Sequence, residues 1–201
     1  MLTFVLRDHF RLALHAALLF AAGLFASWPV VHYRLRAVSW LPMAVLRMIV
    51  RAFGASPSVA RMAAVIGCFN TAAIFLYMAS GVHPLLPKAF GVWTGLNVGV
   101  VMGMGRGVEL MGRGAARQGQ WVPSRPLTAA CGLLVMALEL PSFWFSIAMG
   151  ISMGQAVAGG GQPYWQAVAE RAAVYAAVIV PTLLVSAAAE AVAIRGLSGR
   201  A

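Results

Sequence analysis

Apolar residues fall into five long runs along the chain, separated by short segments that are polar or rich in glycine. The runs lie at about residues 10–28, 60–81, 88–105, 127–153 and 168–194. Each is close to the ~20 residues that an α-helix needs to cross the hydrocarbon core of a bilayer. The pattern predicts an all-α fold, a polytopic integral membrane helical bundle with five transmembrane helices in a single membrane domain over residues 1–201.

A sixth apolar segment, at about residues 38–53, differs from the five runs because basic residues interrupt it. Arg47 and Arg51 are four residues apart, so they share one face of a helix, and apolar side chains occupy the other face. Trp40 and Pro42 stand near its start. We expect an amphipathic helix that lies in the membrane interface and does not cross the bilayer.

The composition agrees with this interpretation. Hydrophobic residues make up 61% of the chain and charged residues only 10%, which is not the balance of a soluble domain. The net charge of +10 could indicate a nucleic-acid partner. However, the arginines lie mostly in the short segments between apolar runs, where membrane proteins carry them. We therefore expect the lipid bilayer to be the partner and exclude nucleic acid.

Lysine and arginine are distributed unevenly between the two sides that five crossings define. The side that holds the N-terminus has four of the fifteen: Arg7, Arg11, Lys88 and Arg171. The other eleven fall on the side of the C-terminus. Positively charged residues stay in the cytoplasm when a membrane protein inserts. The bias predicts a cytoplasmic C-terminus and an external N-terminus.

The third apolar run carries a regular series of glycines, Gly91, Gly95, Gly99 and Gly103, at every fourth position. This spacing places them along one slowly drifting stripe of the helix. Small residues allow two helix backbones to approach closely, which favours helix association in lipid. The stripe predicts close packing against a helix of this chain, of a second copy or of a foreign subunit.

Two carboxylic acids stand in the middle of apolar runs. Glu139 is in the fourth run and Glu190 in the fifth, although the whole chain has only five acidic residues. An ionised carboxylate in hydrocarbon is costly, so such a group faces protein or water, has a partner or stays protonated. These two positions are therefore the strongest candidates for function.

Other polar residues extend this pair into a predicted intramembrane polar cluster. Ser142 follows Glu139 by three residues and Ser186 precedes Glu190 by four, so each serine shares a helical face with an acid. The second and third runs each carry an asparagine near the middle. The full cluster is Asn70, Asn97, Glu139, Ser142, Ser186 and Glu190. It has two interpretations, an interhelical hydrogen-bond network and a polar path or ligand site along the bundle.

Motifs of enzymes and metal sites find little support in the sequence. It contains no His-Glu-x-x-His, and its four histidines are not spaced as metal ligands. A Gly-x-Ser-x-Gly occurs at residues 150–154, but it lies at the end of the fourth apolar run and not at the strand-to-helix turn that a nucleophilic serine needs. Cys68 and Cys131 fall in apolar runs without a Cys-x-x-Cys motif, and we interpret them as packing residues. We expect a protein that is not an enzyme and that has no cofactor and no metal.

Short motifs occur in order along the last four runs: Phe69-Asn70-Thr71, Gly95-Leu96-Asn97-Val98-Gly99, Leu138-Glu139-Leu140-Pro141 and Ala189-Glu190-Ala191. Their order and spacing resemble those of the stage II sporulation protein M family over about residues 60–194. Members of that family often have a His-Gly pair where this chain has Val135-Met136, and a second asparagine where it has Thr71.

The resemblance implies a non-enzymatic scaffold or accessory subunit of a membrane protein complex in the bacterial cytoplasmic (inner) membrane. Its partners would be other membrane subunits or a second copy of the chain. The residues themselves support an alternative, a small transporter or channel component. In that case an ion, a proton or a small solute would bind at the glutamate and asparagine cluster.

Overall fold

The computed structural model describes residues 2–54, 57–104 and 123–198. This part of the chain is almost entirely helical and contains no strand, which confirms the all-α prediction. Its elements in order are α1 (Leu2–His32), α2 (Arg36–Phe53), α3 (Val59–Ala79), α4 (Leu85–Gly103), α5 (Arg125–Ala158), α6 (Tyr164–Val174), a π-helical segment (Tyr175–Ile179) and α7 (Val180–Ser198).

Five helices are long and apolar enough to cross a membrane, as the hydrophobic pattern predicts. They are Phe10–His32, Val59–Ala79, Leu85–Gly103, Arg125–Ala158 and Tyr164–Leu197. The fold is therefore that of a multi-pass membrane protein. The amphipathic helix α2 is not among the five. The predicted end of the third span, Gly105, lies outside the described residues.

The observed helices α4 and α5 differ at their ends from the predicted spans. Helix α4 begins at Leu85, and Pro87 is tolerated in its first turn because the backbone nitrogen there has no acceptor within the helix. Helix α5 has 34 residues and continues through Pro141 without a break. It ends where three consecutive glycines follow, with Gly160 in the left-handed region at φ 69°. The predicted fourth span was therefore too short at both ends.

The last crossing is one continuous helical run in which the π-helical segment joins α6 to α7. Tyr175, the first residue of this segment, is buried in the core, where only 3% of its surface is exposed. The Tyr175 hydroxyl donates a hydrogen bond to the backbone oxygen of Thr71 in α3. A π-helical turn is rare, and a hydropathy pattern contains no signal for it.

The glycine stripe of α4 packs against α1. A Cβ atom at Gly95 would collide with the carbonyl oxygen of Phe20, and one at Gly99 would collide with the hydroxyl of Ser27. Helix α1 contributes a glycine of its own, because a Cβ at Gly23 would meet the carbonyl oxygen of Val92. The two backbones are thus in direct contact, as in other small-residue helix pairs in membranes. Farther along the stripe, Gly91 and Gly103 face Leu19 and Val31 of α1.

Helix α5 lies at the centre of the bundle and contacts α1, α3, α4 and α7. Its residue Ile147 and Leu183 of α7 are fully buried in the main core. Hydrogen bonds at each end of the bundle show which of the segments between helices lie side by side. The Tyr164 hydroxyl donates to the carbonyl oxygen of Ala79 at 2.6 Å, which joins the α3–α4 turn to the start of α6. At the opposite end, the Arg195 guanidinium of α7 donates to the oxygen of Pro57 at 3.4 Å.

Candidate functional site

A cavity forms because α3 and α4 diverge after the turn that connects them. Near the turn the ring centroids of Tyr77 and Phe90 are 5.3 Å apart, and the hydroxyl of Thr94 donates to the hydroxyl of Tyr77 at 3.0 Å. Beyond this point α3 and α4 make little direct contact. Residues of α5 and α7 form the back wall of the gap, and α2 covers the front. The resulting partly open cavity has a volume of about 310 Å³.

The polar wall of the cavity consists of four residues from four different helices. Asn70 of α3, Asn97 of α4, Glu139 of α5 and Glu190 of α7 all line it. The Asn70 side-chain nitrogen donates to a carboxyl oxygen of Glu139 at 2.9 Å. This bond holds one carboxyl oxygen of Glu139 in place. The structure therefore brings together four of the six residues of the predicted cluster.

The two serines of the predicted cluster are not part of the cavity lining. The Ser142 hydroxyl donates to the carbonyl oxygen of Leu138 on its own helix at 2.7 Å. Such a bond to the preceding turn is usual for a serine within a helix. Ser186 is fully buried in the helix packing. A shared helical face brings a residue near an acid, but the short serine side chain does not reach the cavity.

The side-chain oxygen of Asn97 has no hydrogen-bond donor among the described residues. Its side-chain oxygen is buried and accepts no hydrogen bond from the described part of the chain. A buried polar atom without a partner is uncommon, because leaving it unpaired costs about 1–3 kcal/mol. Side-chain atoms of Thr71, Trp144, Ser146 and Ser186 are buried without a partner in the same way, so the Asn97 oxygen does not by itself indicate a ligand.

Helix α2 provides the apolar cover of the cavity, which the sequence interpretation missed. Its lining residues are Pro42, Val45, Leu46, Ile49 and Phe53. They occupy one face at helical spacing, and this spacing was the signal that could have revealed a covering role. The apolar wall is completed by Ile66, Phe69, Val98, Val101, Met102 and Ile194.

No basic residue is among the described residues that line the cavity. Arg47 and Arg51 project from the exposed face of α2, away from its covering face. The part of the chain that the structure describes also has no group of three or more histidine, cysteine, aspartate or glutamate residues that could hold a metal ion. The cavity thus presents carboxyl and amide oxygens without a cation in its wall.

No family model matches the chain, and comparison with curated proteins and with solved structures finds no match. The function is therefore argued from the geometry of the cavity.

Proposed function

We propose that this multi-pass membrane protein binds a positively charged solute in the cavity lined by Glu139 and Glu190, as a non-enzymatic component of membrane transport. The supporting observation is that two acids and two asparagines from four helices meet in one cavity whose described lining has no basic residue. Acids within a membrane usually face the bundle interior and mark the path of an ion or substrate.

The chemistry of the wall supports a cation as the ligand. Two ionised carboxylates in a poorly solvated cavity repel each other, and a bound positive charge removes this repulsion. Asn70 orients Glu139 through its hydrogen bond, so the acid is held in a fixed position before the ligand arrives.

The position of the cavity supports a role in transport. It lies toward the end of the bundle that also holds α2 and the end of α7, the end for which the lysine and arginine count predicts a cytoplasmic location. Helix α2 is bounded by two unusual backbone positions, Arg34 at φ 50° and Gly54 at φ 82°. Between these two turns, α2 supplies the apolar cover of the cavity. The resemblance to the stage II sporulation protein M family supports a location in the bacterial cytoplasmic membrane.

Labelling with dicyclohexylcarbodiimide tests this proposal, since the reagent modifies carboxyl groups in apolar surroundings. We expect the protein in lipid nanodiscs to be labelled at Glu139 or Glu190. Millimolar methylammonium, 2-phenylethylammonium or sodium chloride should slow the labelling, each tested separately. The matched control is Glu170→Gln, which changes an exposed acid of α6 outside the cavity and should leave both labelling and protection unchanged. Protection by none of the three cations would contradict the proposal.

A second candidate function, a scaffold or accessory subunit of a membrane complex, is supported by the first part of α5. Leu133 and Met136 are 70% and 60% exposed there, and a Cβ at Gly132 would have no atom within 4 Å. With 34 residues, α5 is about 50 Å long, more than the hydrocarbon core requires. The resemblance to the stage II sporulation protein M family supports a scaffold role, and this exposed face is where a partner helix has room to pack.

Affinity purification in a mild detergent tests the scaffold proposal. We expect a membrane partner in stoichiometric amount with the wild type and its loss with Gly132→Leu, because a large side chain blocks close approach of a helix. Recovery of the same partner with Gly132→Leu, or of the chain alone with both proteins, would contradict it.

A further inference from the structure

We infer that the ligand of the cavity is a protonated primary amine that carries an apolar body about the size of a phenylethyl group. This inference rests on the proposed function and specifies its solute. It combines three features of the cavity: its volume, the chemistry of its walls and the hydrogen-bond acceptors that its walls present.

The volume favours an organic ligand. At about 310 Å³, the cavity lies at the small end of the range of small-molecule sites. A water molecule occupies about 30 Å³ in the liquid, so a bare inorganic ion would leave most of the space unfilled. An eight-carbon aromatic amine, in contrast, fits within this volume together with a few waters.

The walls favour a ligand with an apolar body. Eleven of the fifteen lining residues are apolar, and they come mainly from α2, α3 and α4. Such walls cannot replace the water that surrounds an inorganic ion. They can remove an alkyl or aryl group from water, and each buried methylene then strengthens binding about fourfold. The acids Glu139 and Glu190 require that the same ligand carry a positive charge.

The acceptors favour a primary ammonium group. The cavity wall offers the carboxyl groups of Glu139 and Glu190. A primary ammonium has three N–H donors, whereas a quaternary ammonium has none. A primary ammonium can therefore donate hydrogen bonds to both acids, which a quaternary ammonium cannot.

A phospholipid headgroup does not fit this site. An ethanolamine lipid carries an ammonium, but it also carries a phosphate close by. None of the described lining residues is basic, so the phosphate would face two carboxyl groups without a partner. The structure thus favours a free amine over a membrane lipid.

Calorimetric titration of the wild-type protein in nanodiscs tests the inference with a series of small probes. We expect 2-phenylethylammonium to bind at least tenfold more tightly than methylammonium, 2-phenylethanol or trimethyl(2-phenylethyl)ammonium. Methylammonium lacks the apolar body, 2-phenylethanol lacks the positive charge, and the trimethyl analogue lacks the N–H donors. Empty nanodiscs provide the background for partitioning into lipid. Equal binding of 2-phenylethylammonium and its trimethyl analogue would overturn the assignment to a primary amine.

Variants separate this inference from the proposed function. Val101→Phe fills the apolar wall, so it should lower the preference for 2-phenylethylammonium over methylammonium at least tenfold. Glu139→Gln should weaken the binding of both 2-phenylethylammonium and methylammonium. Glu170→Gln should weaken the binding of neither. If methylammonium or sodium binds as tightly as 2-phenylethylammonium and depends on Glu139, the inference is wrong while the cation site stands. If no cation binds in a manner that depends on Glu139 or Glu190, both are wrong.

Discussion

At the scale of the residue, the central feature is the pairing of Asn70 with Glu139. The 2.9 Å hydrogen bond joins α3 to α5 in the middle of the bundle. It satisfies a donor that has no other described partner and positions an acid toward the cavity. The same acid therefore has two roles, one in packing and one in binding, and substitutions can separate them.

We expect Glu139→Gln to leave stability nearly unchanged and Glu139→Leu to lower it by about 1–3 kcal/mol. Glutamine keeps an oxygen that can accept from Asn70, whereas leucine leaves the amide donor buried and unpaired. Thermal unfolding in one fixed detergent measures the difference, with Glu170→Leu as the control for loss of an exposed acid. Equal midpoints for the two Glu139 variants would show that the hydrogen bond contributes little.

At the scale of the element, the contact between α1 and α4 decides how closely the bundle can assemble. Sequence spacing identified the stripe on α4, but it left open whether the stripe meets this chain or another. The structure places it against α1 and adds Gly23, an isolated glycine without any series around it. A single glycine in an apolar helix gives no signal of its own, so this partner could not be predicted.

The substitution Gly95→Leu should prevent the close approach of α1 and α4, because even a Cβ at this position collides with the backbone of Phe20. We expect a severe loss of folded protein, measured as the monodisperse fraction after extraction and as the unfolding midpoint. Gly132→Leu is the matched control, since open space surrounds that position on α5. Comparable losses for both variants would contradict the packing assigned to α4.

At the scale of the whole molecule, hydrophobic periodicity predicted most of the fold. All five crossings and the amphipathic helix are present, and the span ends differ by only a few residues. The polar cluster was partly predictable, because an acid or amide in a membrane helix must face the interior. The divergence of α3 from α4 and the covering position of α2 could not be predicted from the sequence. Both depend on contacts between residues far apart in sequence.

The arrangement of the crossings makes a prediction about orientation. The end of the bundle that contains α2 should be cytoplasmic, and the turn at 159–163 should be external. Single cysteines at positions 198 and 162, with Cys68 and Cys131 replaced by alanine, can be treated with an impermeant thiol reagent in intact cells. We expect labelling at position 162 only. Labelling at position 198 but not at position 162 would show that the orientation is the reverse of the predicted one.

The most direct test of the central claim is to locate a bound amine by photo-crosslinking. A primary amine with an aryl diazirine would be bound to the wild-type protein in nanodiscs and irradiated, and the modified residues identified by mass spectrometry. We predict adducts on the cavity face of α2, at Leu46 or Ile49, and on α4 at Val101, with their loss in Glu139→Gln. Adducts confined to lipid-facing residues such as Leu133, or unchanged in that variant, would contradict the proposed site.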